Sequence, residues 1–251
     1  MKNINDDMRK AAAVGDAARL KEVLLSPGCN PMSKSSGGGT PLMYAALSKN
    51  PDCVKLLLPV SDATSTCNRG RTALMHAAEA GHDGCVSLLL TPSAGLDSDH
   101  LGLTALMIAA SNGHDSCVQV LLAVSNVLAK DFQGMTALMG AASQGHTGCT
   151  KRLLPVSNPC TQDDKGMTAL MHAAQSGDFS CVQLLLPVSD ILAKNKKNQS
   201  AADCAWGSSS SSSMSRAALL IEAYTLAQTE VSVLGTCTAW GVPGKPRRLR
   251  V

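Results

Sequence analysis

The side chains with most reactive potential in this sequence are thiols and imidazoles, ten cysteines and six histidines in 251 residues. Five of the cysteines, Cys53, Cys85, Cys117, Cys149 and Cys181, recur at intervals of 32 residues. Three of them follow a histidine by three residues, giving the pairs His82–Cys85, His114–Cys117 and His146–Cys149. H-x-x-C offers two of the four ligands that a tetrahedral zinc takes, and a row of thiols also raises the question of disulfides. His76 and His172 share a slot that holds Tyr44, Ile108 and Gly140 in other copies of the pattern. A slot filled so variously is not a catalytic ladder and reads as a helix-surface position.

Other chemistry leaves no signature. The sequence contains no G-x-S-x-G, P-loop, H-E-x-x-H or dinucleotide-binding fingerprint, so no nucleophile, base and oxyanion donors are foreshadowed. The net charge of +3 is weak for nucleic acid or an anionic membrane, and six aromatic residues are too few for base stacking. The segment MKNINDDMRKAAAVGD is polar where a signal peptide would be apolar, and no apolar run approaches the ~18 residues of a spanning helix. The expected location is the cytoplasm, with nuclear or cytoskeletal association open, and the expected thiol state is reduced.

The elements that must hold these residues are set by a repeat. TPLMYAALSKNPDCVKLLL begins at Thr40, and near-copies begin at Thr72, Thr104, Thr136 and Thr168, each 32 residues on. A weaker copy begins at Ser200 and a degenerate one covers Arg9 to Ser26. In the unit from Thr72, the threonine is a good N-cap for a helix over Ala73–Ala80, and Gly81 ends it. Asp83 is expected to cap a second helix whose stripe is Cys85, Val86, Leu88 and Leu89. Pro59, Pro155 and Pro187 follow the leucines and should stop that helix. A stretch such as SNVLAKDFQGM then reads as a turn-rich loop. The paired alanines at 77–78, 109–110, 141–142 and 173–174 allow neighbouring first helices to approach closely.

T-A-L-M-x-A-A-x-x-G-H-x-x-C-V-x-L-L-L, with the lead-in D-x-x-G-x-T at Asp99, Asp131 and Asp163, resembles the ankyrin repeat. The resemblance implies an all-α ankyrin-repeat solenoid of helix-turn-helix units with protruding hairpin loops, about seven repeats. Residues 1–34 would be a degenerate N-terminal capping repeat and residues 35–228 the array. The last of these repeats is a C-terminal cap with a poly-Ser insertion at Ser208 to Ser213. Residues 229–251 would be a basic, disordered tail carrying Lys245, Arg247, Arg248 and Arg250. The helix from Ser215 to Ala227 should close the stack. Departures from the family pattern are Ala for Pro at 73, 105, 137 and 169, and Met for His at 43, 75, 107, 139 and 171. The T-A-L-M variant is similar to arrays in protist ankyrin proteins, some of which carry a NIMA-related kinase domain. The kinase motifs are absent from this sequence, so the likeness is to a kinase-free member.

The repeat bears on the opening question. Adjacent packed helices lie ~8–10 Å apart, beyond both the ~2.3 Å zinc–sulfur bond and the ~4.4–6.8 Å between bridged Cα atoms. The cysteines therefore read as small buried hydrophobes, and one H-x-x-C pair would need two further ligands to hold zinc. His82, His114 and His146 follow the helix-ending glycine and are expected to face a loop.

The resemblance implies recognition through hairpin tips and exposed first-helix positions. The tip residues are Asn68, Arg69 and Arg71; His100, Leu101 and Leu103; Phe132, Gln133 and Met135; and Asp164, Lys165 and Met167. The first-helix positions are Glu79 and Ala80, Ser111 and Asn112, Ser143 and Gln144, and Gln175 and Ser176. Turn tips are normally polar, so Leu101, Leu103, Phe132, Met135 and Met167 suggest an apolar stripe flanked by Arg71 and Lys165. The competing reading is that these five pack between adjacent hairpins. The expected function is a non-catalytic scaffold or adaptor for another protein, with no cofactor. A regulatory or inhibitory subunit of an enzyme is the alternative, ahead of an enzyme or a nucleic-acid binder acting through the tail.

Overall fold

The computed structural model describes residues 4–90, 97–207 and 216–228. The poly-Ser insertion and the basic tail lie outside the described residues. Short helices come in pairs: α1 (Ile4–Val14) with α2 (Ala17–Leu24), α3 (Pro41–Leu47) with α4 (Pro51–Leu57), and α5 (Ala73–Ala80) with α6 (Asp83–Leu89). The pairs continue with α7 (Ala105–Ser111) and α8 (Asp115–Leu121), α9 (Ala137–Ser143) and α10 (Thr147–Leu153), and α11 (Ala169–Ser176) and α12 (Phe179–Leu185). The helix α13 (Ala201–Gly207) precedes a last helical stretch over 216–228. Among the described residues there is no named strand, only one bridge between Ser98 and Thr104 in a hairpin. The molecule is thus all-α, with turns where its hairpins project.

The first helices α3, α5, α7, α9 and α11 start on the threonine caps that the sequence predicts. The hydroxyls of Thr40, Thr72, Thr104, Thr136 and Thr168 accept the N–H three residues on at 3.3–3.4 Å. Such a cap is worth ~1 kcal/mol. Gly81 closes α5 at φ 75°, a left-handed conformation cheap only for glycine. The second helices divide into two kinds. Asp16, Asn50 and Asp178 cap α2, α4 and α12 with their side chains. In α6, α8 and α10 the cap position is held by His82, His114 and His146, whose side chains make no cap bond. Asp83 is therefore a first-turn residue, not the expected cap. Pro59, Pro155 and Pro187 sit in single 3-10 turns, Leu58–Val60, Leu154–Val156 and Leu186–Val188, that end their helices.

Packing runs along the stack. Each of α1, α3, α5, α7, α9 and α11 touches the next first helix, ending on α13, while α2 to α12 form a parallel row of their own. Ala77, Ala78, Ala109, Ala110, Ala141, Ala142, Ala173 and Ala174 are wholly buried, where a larger side chain would separate the row of first helices. Leu57, Leu89, Leu121, Leu153 and Leu185, on the second helices, are buried in the same core. Each such leucine contributes ~1.5–3 kcal/mol, and no unit could hold its shape without a neighbour. At the end of the stack the guanidinium of Arg216 lies 4.9 Å over the ring of Phe179.

Candidate partner-binding surface

The thiol row is core. Cys53, Cys85, Cys117, Cys149 and Cys181 are buried and free of disulfides. Burial pushes the thiols up, Cys117 and Cys181 to about 11. Cys149 rises to about 12 through burial and its hydrogen bond to Asp115. That thiol donates to the Asp115 carboxylate at 2.9 Å, and Cys85 donates to the Ser48 carbonyl at 3.6 Å. Groups that resist ionisation are poor nucleophiles and poor metal ligands. Among the described residues no three His, Cys, Asp or Glu side chains gather as a metal-binding group.

The histidines correct two expectations. His82, His114 and His146 do not face a loop. Their rings reach back one unit to the carbonyls of Ala46, Glu79 and Ser111 at 3.3, 3.0 and 3.1 Å. These carbonyls lie near the C-terminal ends of first helices, where intrahelical partners run out. The imidazole thus spends its hydrogen bond on the neighbouring unit, and its own helix goes uncapped. His76 and His172 are not open helix-surface residues either, since only 17% and 13% of their side chains remain exposed. His172 Nε2 lies 2.9 Å from the Asp163 carboxylate.

The hairpins are built around one acceptor. Asp99 Oδ1 takes the N–H of Leu101 and Leu103 at 2.9 and 3.0 Å. Asp131 and Asp163 do the same for Gln133 and Met135, and for Lys165 and Met167, all at 2.8 Å. Asn195 repeats it with Lys197 and Gln199 at 2.9 and 3.0 Å. Successive tips are also joined by backbone bonds. His100 N–H donates to Arg69, Phe132 to Leu101, Asp164 to Gln133 and Lys196 to Lys165, at 2.9–3.0 Å. Gly134 (φ 76°) is required twice, by its left-handed backbone and because a Cβ there would lie 2.9 Å from the Asp164 amide nitrogen. In the last hairpin Asn198 takes that conformation at φ 62°.

This frame sorts the expected site residues. The first and second positions after the acceptor point outward: His100, Leu101, Phe132, Gln133, Asp164 and Lys165 are exposed, as is Arg69. Leu101 is 63% and Phe132 73% exposed. The fourth position folds under the tip. Leu103 and Met135 are partly buried against the core, and Met167 is buried, its sulfur accepting from the Asn195 amide at 3.3 Å. The five-residue apolar stripe is therefore corrected to two residues, Leu101 and Phe132, on adjacent tips. Of the three others, Met167 touches the next hairpin through Asn195, and Leu103 and Met135 pack against the core. Arg71 is not a free flank: it bonds Asp99 at 3.1 Å and Glu79 at 2.7 Å, with its side chain only 13% exposed.

Between tips and first helices the surface is hollowed. A cleft of about 340 Å³ is lined by Phe132, Met135, Ser143, Asp164, Lys165 and His172. It adjoins one of about 550 Å³ that shares Asp164, Lys165 and His172 and adds Gln175, Lys196 and Lys197. Lys196 and Lys197 escaped sequence reasoning, although the 32-residue step from Asp164 and Lys165 leads directly to them.

Two descriptions of the same repeat match the sequence: "Ankyrin repeats (3 copies)" over residues 8–100, 60–131 and 93–163, and "Ankyrin repeats (many copies)" over 141–186. Among solved structures the human ASB11 ankyrin repeat domain is similar, at 25% identity and a TM-score of 0.72 over 85% of this chain and 96% of that one. No curated protein matches the sequence.

Proposed function

The chain belongs to the ankyrin-repeat family, whose fold is a general protein–protein interaction module, and we propose that it is a non-catalytic scaffold or adaptor. It grips another protein with its hairpin tips and the exposed side of its first helices, and it works in the cytoplasm. No helix among the described residues is long and apolar enough to cross a membrane. The observation that carries the reading is the pair Leu101 and Phe132, left in water at the apices of two hydrogen-bonded tips. An exposed aromatic on a rigid turn is an economical anchor, since it loses little entropy on binding and an aromatic buries ~150–250 Å².

The test is a capture experiment with Leu101→Ala/Phe132→Ala. Neither side chain supports the core, so the helical spectrum and melting temperature should stay as in the parent. Partners captured by the parent chain should be depleted roughly tenfold or more, as for a hot-spot residue. A folded double variant that retains every partner would refute the assignment.

A further inference from the structure

Resting on the reading above, we infer that the groove from Phe132 to Lys197 takes an acidic peptide segment of the partner, with an apolar side chain at one end and carboxylates at the other. The two clefts share Asp164, Lys165 and His172, so they form one continuous depression. Its one end is apolar, with Phe132 exposed above partly buried Met135. Its other end carries Lys165, Lys196 and Lys197, all exposed. Among the described residues none of these three makes an ion pair, whereas Arg9, Arg19, Lys55 and Arg71 all do. The only carboxylate exposed on these tips is Asp164, which leaves the far end net positive.

The backbone adds a hydrogen-bonding site. Each earlier tip gives a carbonyl to the next, at Arg69, Leu101, Gln133 and Lys165. The same position in the last hairpin is Lys197, and no described backbone N–H donates to its carbonyl. A peptide N–H laid across the tip would complete the series.

The geometry sets a spacing. Phe132 and Lys196 occupy the same slot two units apart. At ~8–10 Å per packed unit the separation is ~16–20 Å, which an extended peptide covers in about 5–6 residues at ~3.3 Å each. A nucleic acid fits less well, because its phosphates recur along the whole strand while the cations sit at one end, with Asp164 beside them.

A displayed random-peptide library panned on the intact chain tests this, with enriched peptides synthesised and measured by fluorescence anisotropy. Enriched sequences should carry an apolar residue about 5–6 positions from Asp or Glu, the spacing of an extended strand. Replacing those acids by Gln, or using Lys196→Glu/Lys197→Glu chain, should weaken binding roughly tenfold or more. The lysine side chains are exposed and the hairpin uses the Lys196 backbone, so the variant should melt with the parent. Enriched peptides that lack acids, or bind the variant equally, would overturn the inference and leave the protein-binding reading standing. No enrichment would also overturn it, while the Leu101→Ala/Phe132→Ala capture decides the wider reading separately. Binding of single-stranded RNA that is lost in the lysine variant would assign the cations to nucleic acid instead.

Discussion

Removing the carboxylate of Asp163 should unfasten one hairpin and cost the array a measurable share of its stability. Asp163 is buried, and its two oxygens serve three donors: the amides of Lys165 and Met167 at 2.8 Å and His172 Nε2 at 2.9 Å. Asp163→Ala deletes both acceptor oxygens, and with them all three hydrogen bonds, and supplies none. A net ~0.5–1.5 kcal/mol per bond, with the two amides left beneath the tip, gives a loss of ~2–4 kcal/mol. For a chain of this length that corresponds to a fall of roughly 5–15 °C in melting temperature. Asp163→Asn is the control the protein already contains, since Asn195 holds the equivalent amides at 2.9 and 3.0 Å through its amide oxygen. The asparagine should cost less than ~1 kcal/mol. The assay is guanidinium denaturation of the full chain followed by circular dichroism. If alanine and asparagine are equally damaging, or alanine costs under ~0.5 kcal/mol, then the side-chain acceptor does not organise the hairpins.

Three further outcomes follow from single side chains. The hydroxyls of Ser61, Ser125, Ser157 and Ser189 are buried without a hydrogen-bond partner, so Ser157→Ala should leave stability unchanged or raise it by up to ~1 kcal/mol; a loss of that size in the same denaturation assay would show that the hydroxyl is satisfied. His76 is held below its ordinary 6.5, first by burial, with Arg71 and Arg69 adding to the effect against Glu79. The unfolded chain therefore binds the proton first, so this contribution is intact above pH ~6.5 and is lost as pH falls below it. His76→Ile, the residue of the equivalent slot at Ile108, should flatten the decline in stability between about pH 7 and pH 5, and an unchanged slope would contradict the assignment. In native protein at about pH 8, alkylation followed by mass spectrometry should modify exposed Cys160 well before Cys117, Cys149 or Cys181, whose thiols are pushed up to about 11, 12 and 11. Labelling of Cys149 at a comparable rate would mean that its site opens readily.

The frame was legible in the sequence because the physics that builds it is local and recurs. A threonine cap, an alanine pair and a helix-ending glycine at Gly81 each act within a turn of chain, and the 32-residue step repeats them. The cysteine row could be read as core because unit spacing alone places the thiols too far apart to share an ion. What the sequence left ambiguous was direction. Leu101 and Leu103 are both leucines in one tip, yet one lies in water and the other turns inward. The difference arises because Asp99 binds both amides and curls the chain between them. Met135 and Met167 sit in the inward position for the same reason, and only the folded hairpin shows it. The histidines at 82, 114 and 146 were misread because their partners lie 35 or 36 residues upstream, a separation that carries no local signal.

The most direct test of the central claim is amide hydrogen exchange on the chain with and without a captured partner. The account predicts added protection across the hairpins around Asp99, Asp131 and Asp163 and on the exposed turns of α7, α9 and α11. The row from α4 to α12 should stay unchanged. Protection confined to that second row, with the tips exchanging as in the free chain, would contradict it.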